Sequence, residues 1–474
     1  MSDLDEPTNS LLTKAFIILK RNSVLIALGL GLESEFLGWL FVTGTSMWAV
    51  LTPLFFALFA TYVVTLIYVK RSLRGNSALM AIAVFAIAFR LTLLFSGPIL
   101  STDILRYYWE GKVVANGFNP YLYPPDAPQL ASLRDPVWGF LNLKFLPASY
   151  PPLLELFFAF VYLIFRSVFG YKVVFFIFDL ALIGMICLVL RELNLDAKNV
   201  IVYAWAPLPI IEVAQSGHND PMVVFLLFVF FLLFLRAKNV LSAHVLGLSV
   251  VSKFYPIFLF PYVFKRWGKR ATTIFLATVV VVYAPLLTMG LSLFNGLLFA
   301  INTVDFNGSI FPTFVWLMTM MGVFANPGFA AQVLTYVVYL GILLWAFYFS
   351  RHRMKQRSDV MKLSLILIGS LLLLNRAFFP WYVIWIVPFL AFFTSPSWLL
   401  LSGTIFMGYM KYNSFPPPSY EAADPQTRLL IDLIQYVPFY IILAFELFKS
   451  YRRSPRGRQS QENRSTGFEH LLDS

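Results

Sequence analysis

The chain has 474 residues, of which 59% are apolar and 13% charged, and Phe alone supplies 50. Soluble domains carry about 45–50% apolar and about 25% charged residues, so this composition excludes a soluble enzyme, a secreted disulfide scaffold and a disordered chain. One cysteine, Cys187, allows no internal disulfide or cysteine zinc site, the four histidines (His218, His244, His352, His470) are scattered, and the +12 net charge fits basic cytoplasmic loops better than a nucleic-acid surface.

A membrane-crossing helix needs roughly 20 mostly apolar residues. Spans are predicted near 22–43, 47–69, 77–97, 172–190, 199–216, 221–236, 271–289, 330–350, 360–378, 380–394, 397–411 and 430–448. A helical hairpin is predicted at 240–264, broken at Tyr255-Pro256. The expected fold is an all-α polytopic membrane protein, a bundle of about 11–14 transmembrane helices. Residues 1–21 read as a cytoplasmic N-terminus without a cleavable signal, 22–448 as the membrane domain, and 449–474 as a basic, disordered tail. No internal repeat supports an inverted-repeat transporter.

Lys and Arg set the orientation. They collect at Lys70-Arg71, Arg236-Ala237-Lys238, 265–270, 351–357 and the tail, all on the cytoplasmic side if 152–168 lies along the outer interface without crossing. The stretches 98–151, Gln215 to Asp220, the hairpin tip at Lys253, 290–312 and Asn375 to Tyr382 then share the opposite side. Loop 98–151 balances Arg106, Lys112, Arg134 and Lys144 against Asp103, Glu110, Asp126 and Asp135. Loops this long are usually functional, and its prolines, from Pro120 to Pro152, argue for a shaped surface.

The loop opens Ser101-Thr102-Asp103-Ile104-Leu105-Arg106-Tyr107-Tyr108-Trp109-Glu110-Gly111. On a helix, Asp103, Arg106, Tyr107 and Glu110 share a face. An acid with a basic neighbour one turn away suits a general base kept ionised, although an interfacial ion pair would use the same residues. Gln215-Ser216-Gly217-His218-Asn219-Asp220-Pro221 crowds polar side chains between two spans. A helix cap accounts for Asp220 alone, less well for His218 and Asn219. Lys253 in an apolar hairpin is costly unless paired or facing a cavity, and a phosphate is a natural partner. Arg90 raises the same possibility, with snorkelling the better account. Arg376 sits at an outer helix end beside Trp381 and Tyr382, residue types that anchor interfaces. Glu33 and Glu35 either end the first span or face the bundle. With no phosphate-cradling glycine loop, ATP is not the energy source, and a donor that is itself a membrane lipid is expected.

The run Asp103 to Gly111, then Gly117-Phe118-Asn119-Pro120-Tyr121, then Tyr150-Pro151-Pro152-Leu153, resembles the first outer loop of polytopic GT-C glycosyltransferases, in particular the prokaryotic polyprenol-phosphate-mannose-dependent mannosyltransferases. Gly217-His218-Asn219-Asp220 and Lys253-Phe254-Tyr255-Pro256 are similar to segments of the mannosyltransferase that adds the first mannose of GPI anchors, and Asp179 and Pro380-Trp381-Tyr382 fit the same pattern. The resemblance implies a GT-C-like bundle with its catalytic loop on the non-cytoplasmic face of the cell membrane. It implies an inverting transfer of a monosaccharide, mannose, from a polyprenyl-phosphate donor to a lipid, glycan or protein acceptor. Asp103 matches the family's base, and Arg106, Glu110, Tyr121, His218, Asn219, Asp220, Lys253 and Arg376 are the expected substrate-binding residues. Many relatives carry Asp-X-Asp, whereas Leu105 stands two after Asp103 here. A lone acid makes a poor divalent-metal site, so no cofactor is expected. The alternative, a transporter or lipid flippase, should place its ionisable residues near the bilayer midplane on broken helices. Here most of them gather at one boundary. A scaffolding subunit would leave the polar outer loop unexplained.

Overall fold

The computed structural model describes residues 22–42, 47–73, 77–352, 354, 356–411 and 424–453. The N-terminal segment 1–21 and the tail beyond Arg453 lie outside the described residues. Among the described residues every regular element is helical, apart from isolated bridges joining Phe306 and Asn307 to Ala377. Within a bilayer each backbone N–H and C=O must be bonded inside the protein, and a helix does this within one segment.

The longer helices are α1 (Ser23–Leu40), α2 (Met47–Ser72), α3 (Ser77–Leu94), α4 (Asp103–Ala115), α5 (Pro152–Phe165), α6 (Val168–Glu192), α7 (Asp220–Leu235), α8 (Asn239–Val250), α9 (Phe260–Tyr283), α10 (Asn295–Thr303), α11 (Ile310–Met321), α12 (Pro327–His352), α13 (Asp359–Leu374), α14 (Pro396–Thr404) and α15 (Pro425–Arg453). Among the described residues six stretches, built on α1, α2, α6, α9, α12 and α15, are long and apolar enough to cross a membrane, or seven if the segment before α7 is joined to it across a 119° bend. The chain is thus an all-α polytopic membrane protein, with fewer full-length spans among the described residues than the sequence suggests.

The difference has local causes. Pro207 and Pro209 cut 199–216 into single turns and a π-helical turn at Ile211–Gln215. The segment 380–394 begins as a 3-10 turn, Pro380–Trp385, followed by one helical turn at Val387–Leu390. Helix α13 has 16 residues; at 1.5 Å per residue it spans roughly 24 Å, short of a hydrocarbon core of roughly 30 Å. The hairpin breaks between α8 and the 3-10 turn Tyr255–Leu259, so Tyr255-Pro256 starts the return limb and is not the break itself. That limb reaches the basic run 265–270, where Gly268, at φ +73°, breaks α9 into two helices that turn back on each other and stack Phe260 on Phe275, ring centres 4.6 Å apart, so the expected basic loop is a tight turn. The last helix continues to Arg453, into the segment expected to be tail.

Helix α5, with 14 residues, ends at Arg166 in a left-handed conformation and packs on α4. Beneath α4 the loop 98–151 has a small core of its own, Trp109, Val113, Ala127, Leu130 and Leu141. Asp135 accepts from Lys112 (2.8 Å), Tyr108 (3.1 Å) and the Trp138 backbone N–H (3.1 Å). Arg134 and Lys144 lie over the Trp138 ring at 4.5 and 4.2 Å. The loop is therefore a packed platform.

The bundle core holds ion pairs that the sequence leaves open. Arg90 does not snorkel: it is fully buried, with its Nε 2.5 Å from Asp179 and its Nη1 donating to the carbonyls of Ala204 (2.7 Å) and Ala86 (3.0 Å). Tyr203 donates to the other Asp179 oxygen at 2.5 Å. Glu33 and Glu35 face the bundle, accepting from Thr92 and Thr61 respectively.

Candidate active site

A cavity of about 570 Å³ opens between the loop 98–151 and the ends of several helices. Its polar wall carries Asp103, Arg106 and Glu110 from α4 and Lys253 from the α8–α9 turn. Tyr107, Tyr150, Trp381, Tyr382 and Trp385 form an aromatic band. The remaining wall is largely apolar, with Leu297 and Ile301 of α10, Tyr339 of α12 and Leu371, Leu372 and Leu374 of α13.

Asp103 is the first residue of α4 and is half-buried, its N–H donating to Ser101 Oγ at 3.3 Å. Burial pushes its carboxyl above the ordinary range, while the charges of His218 and Lys253 oppose that rise. Arg106 binds Glu110 at 2.6 Å, as the spacing suggested, and also donates to the carbonyls of Leu143 (3.3 Å) and Leu146, tying α4 to the far end of the loop. Glu155 of α5 lies buried; burial and the neighbouring acid Glu110 hold its carboxyl well above the usual range.

Lys253 is not an isolated charge. It pairs with Asp220, which is fully buried and also accepts from Trp385 Nε1 at 2.5 Å. The ammonium sits 5.3 Å from the Trp385 ring centre and 5.8 Å from those of Tyr150 and Tyr382. One side of the cation thus meets a carboxylate, and ring faces bound the rest.

The other candidate residues separate. His218, Asn219 and Asp220 do not line the cavity; they lie behind its wall. Gly217, at φ +75°, makes this possible, since a Cβ there would come within 2.2 Å of Ile104. His218 stacks under Trp381, ring centres 4.3 Å apart. Tyr121 is outside the cavity too, donating to the Tyr150 carbonyl at 2.7 Å as an internal strut of the loop. Arg376 reaches the rim, but Asp305 holds its guanidinium by two contacts of 2.8 and 2.9 Å, and Phe311 lies beneath it. Sequence reasoning missed Trp385, Glu155 and Glu212. Trp385 stands four residues after Trp381 on a turn that brings both to the cavity. Glu212, an acid inside an apolar segment, carried a readable signal. Among the described residues no group of three or more His, Cys, Asp and Glu is arranged to hold a metal ion.

No curated protein and no solved structure matches the chain. A family model described as the alpha-(1->6)-mannopyranosyltransferase N-terminal domain matches residues 23–269, just over half of the chain. The match takes in Asp103, the His218 turn and Lys253, while Arg376 and Trp385 lie beyond it. With that match added to a membrane-spanning helical fold and a charged, aromatic cavity, the chain belongs to the MptA_B family of alpha-(1->6)-mannopyranosyltransferases and is a membrane-embedded glycosyltransferase.

Proposed function

We propose that the protein transfers mannose from a polyprenyl-phosphate donor to a hydroxyl of a lipid, glycan or protein acceptor, with inversion at the anomeric carbon and Asp103 as the base. The observation that carries this is the cavity itself: a half-buried carboxylate and a ring-bound ammonium line the same space, and its remaining, largely apolar wall suits an acyl or prenyl chain. Asp103 takes the proton of the acceptor hydroxyl as its oxygen attacks the anomeric carbon. The bond from that carbon to the phosphate oxygen breaks on the opposite side, which inverts the centre. The lipid phosphate leaves with added charge beside Lys253, where a fixed cation lowers the barrier. A carboxyl raised by burial is a stronger base than an exposed one, provided it stays ionised. No metal or other cofactor is invoked.

The site is assigned to the non-cytoplasmic face. Asp220 starts α7 near the cavity, while Arg236 follows its far end, among the Glu192, Arg236 and Arg357 ion pairs. The decisive experiment supplies purified protein with radiolabelled polyprenyl-phosphate mannose or glucose and a mixed acceptor extract. Transfer from neither removes the donor assignment. Asp103→Asn keeps the shape and should lower turnover roughly 10²–10⁴-fold; activity within a few-fold of the parent removes Asp103 as base.

A further inference from the structure

Helix α12 turns most of its surface outward, with Phe329, Val333, Val337, Leu340 and Leu344 exposed, as suits a span facing lipid. Its other face lines the cavity with Gln332, Thr335, Tyr336 and Tyr339. Two of these are answered within the protein. Thr335 donates to the Ala331 carbonyl at 2.9 Å and Tyr339 to the Leu367 carbonyl at 3.4 Å. Gln332 is different: it is 9% exposed, and its Oε1 is buried with no hydrogen-bond partner among the described residues.

An amide placed in a membrane span ordinarily bonds across to a neighbouring helix, since a buried polar atom left alone costs stability. Two other cavity residues, Glu110 and Tyr255, also carry a buried oxygen without a partner. Each of them has a second hold: Glu110 keeps Arg106 on its other oxygen, and the Tyr255 ring stacks on Trp385, centres 4.3 Å apart. Gln332 has an apolar wall around it and an unmet acceptor. We propose that Gln332 is a specificity-determining residue, which binds two neighbouring hydroxyls of a sugar held in the cavity. That sugar is the mannosyl group of the donor or the ring that receives it. The inference rests on the cavity being the place of the transfer proposed above.

The chemistry fits a sugar and not a lipid chain. A carboxamide sets one acceptor oxygen beside two N–H donors, and adjacent ring hydroxyls each donate and accept. The last torsion of a glutamine is broad, so the amide can turn to a ligand without leaving its rotamer. Gln332 also lies beyond the matched residues 23–269, in a part of the chain that the family segment does not cover. The sign of its effect on stability follows from the missing bond. An apolar side chain of similar size would remove an unsatisfied group and break no contact, so the free protein should lose nothing while sugar binding weakens.

The test compares the full-length parent with Gln332→Met in detergent. Thermal unfolding is measured first without substrate, then transfer is measured against polyprenyl-phosphate mannose and against a short-chain alkyl mannoside as acceptor. The variant should unfold at the parental temperature or above it, with KM for one of the two substrates raised about 5–100-fold. The titration that moves identifies the sugar. Deoxy forms of that substrate should cost the parent a similar factor and the variant much less. A variant less stable than the parent makes Gln332 a structural residue and overturns the proposal, as do unmoved KM values for both substrates. If the parent transfers no mannose, the reaction proposed above fails separately. The thermal stabilisation that each sugar gives to parent and variant then decides this inference, and equal shifts overturn it.

Discussion

Replacing Lys253 with Met removes one half of a pair whose side chains are 11% and 0% exposed. Asp220 would keep the Trp385 indole as a donor, but its second oxygen already has no hydrogen-bond partner. Stranding such a carboxylate costs about 3–5 kcal/mol. Asp220→Asn strands the cation instead, and three ring faces at 5.3–5.8 Å soften the loss, by about 0.5–2 kcal/mol. The double variant Lys253→Met/Asp220→Asn has no stranded charge and should recover much of the loss, giving a coupling energy of about 2–4 kcal/mol. Denaturation of the four forms in detergent measures the cycle, and donor titration runs on the same samples. Lys253→Met and the double variant should both need at least about tenfold more lipid-phosphate donor (about 1.4 kcal/mol), while Asp220→Asn holds nearer the parent. Stability losses that simply add would refute the pair. A double variant with parental stability and parental donor use would show that Lys253 serves only Asp220 and has no role towards phosphate.

Cysteine placed at Pro128 should react with an impermeant thiol reagent added outside intact cells and cysteine at Ser358 should not; the reverse pattern moves the site to the other face. Tyr121→Phe deletes one hydrogen bond inside the loop, so it should cost about 0.5–1.5 kcal/mol of stability and change kcat/KM by no more than a few-fold. A collapse of transfer at unchanged stability would make Tyr121 a substrate contact. For Asp135, burial works against the charge, but Lys112, the Trp138 N–H and Tyr108 outweigh it and hold the carboxyl below the usual range. A depressed folded value adds stability above the unfolded value, about 3.9, and loses it as pH falls through the folded one. Protease nicking of loop 98–151 should therefore rise below about pH 4, and Asp135→Asn should already be nicked faster at neutral pH.

The helical class, the long loop 98–151 and the Asp103–Arg106–Glu110 face were legible because they rest on composition and on spacing along one segment. The span count was less so. Hydropathy registers the apolar run 199–216, but Pro207 and Pro209 break it into turns, and burial by protein instead of lipid gives the same apolar reading. Long-range partners were hidden for a different reason. Arg90 and Asp179 are 89 residues apart, and Asp220 meets Trp385 across 165. Local sequence shows that a buried charge needs a partner, not which one. Lys253 was legible as a cation that is paired or faces a cavity, but Asp220, 33 residues away, was not legible as its partner.

The turn that holds His218 shows what the fold gives up to place these groups. Glu212 Oε2, Ser216 Oγ, His218 Nε2, both amide atoms of Asn219 and Asp220 Oδ2 are all buried without a hydrogen-bond partner among the described residues. Folded proteins leave few such atoms, because each costs about 1–3 kcal/mol. Stability alone would favour apolar side chains in a segment whose neighbours are Ile, Val, Ala and Phe. Groups set out in advance around a cavity need no rearrangement when charge moves during a reaction, and that gain appears only in the transition state. Such departures from local satisfaction belong at functional sites. Here they gather within a single turn behind Trp381 and Lys253, on the side of the wall from which Asp103 feels His218, Asp220 and Glu212. The polar turn is thus better understood as the electrostatic backing of the cavity than as a second place where substrate binds.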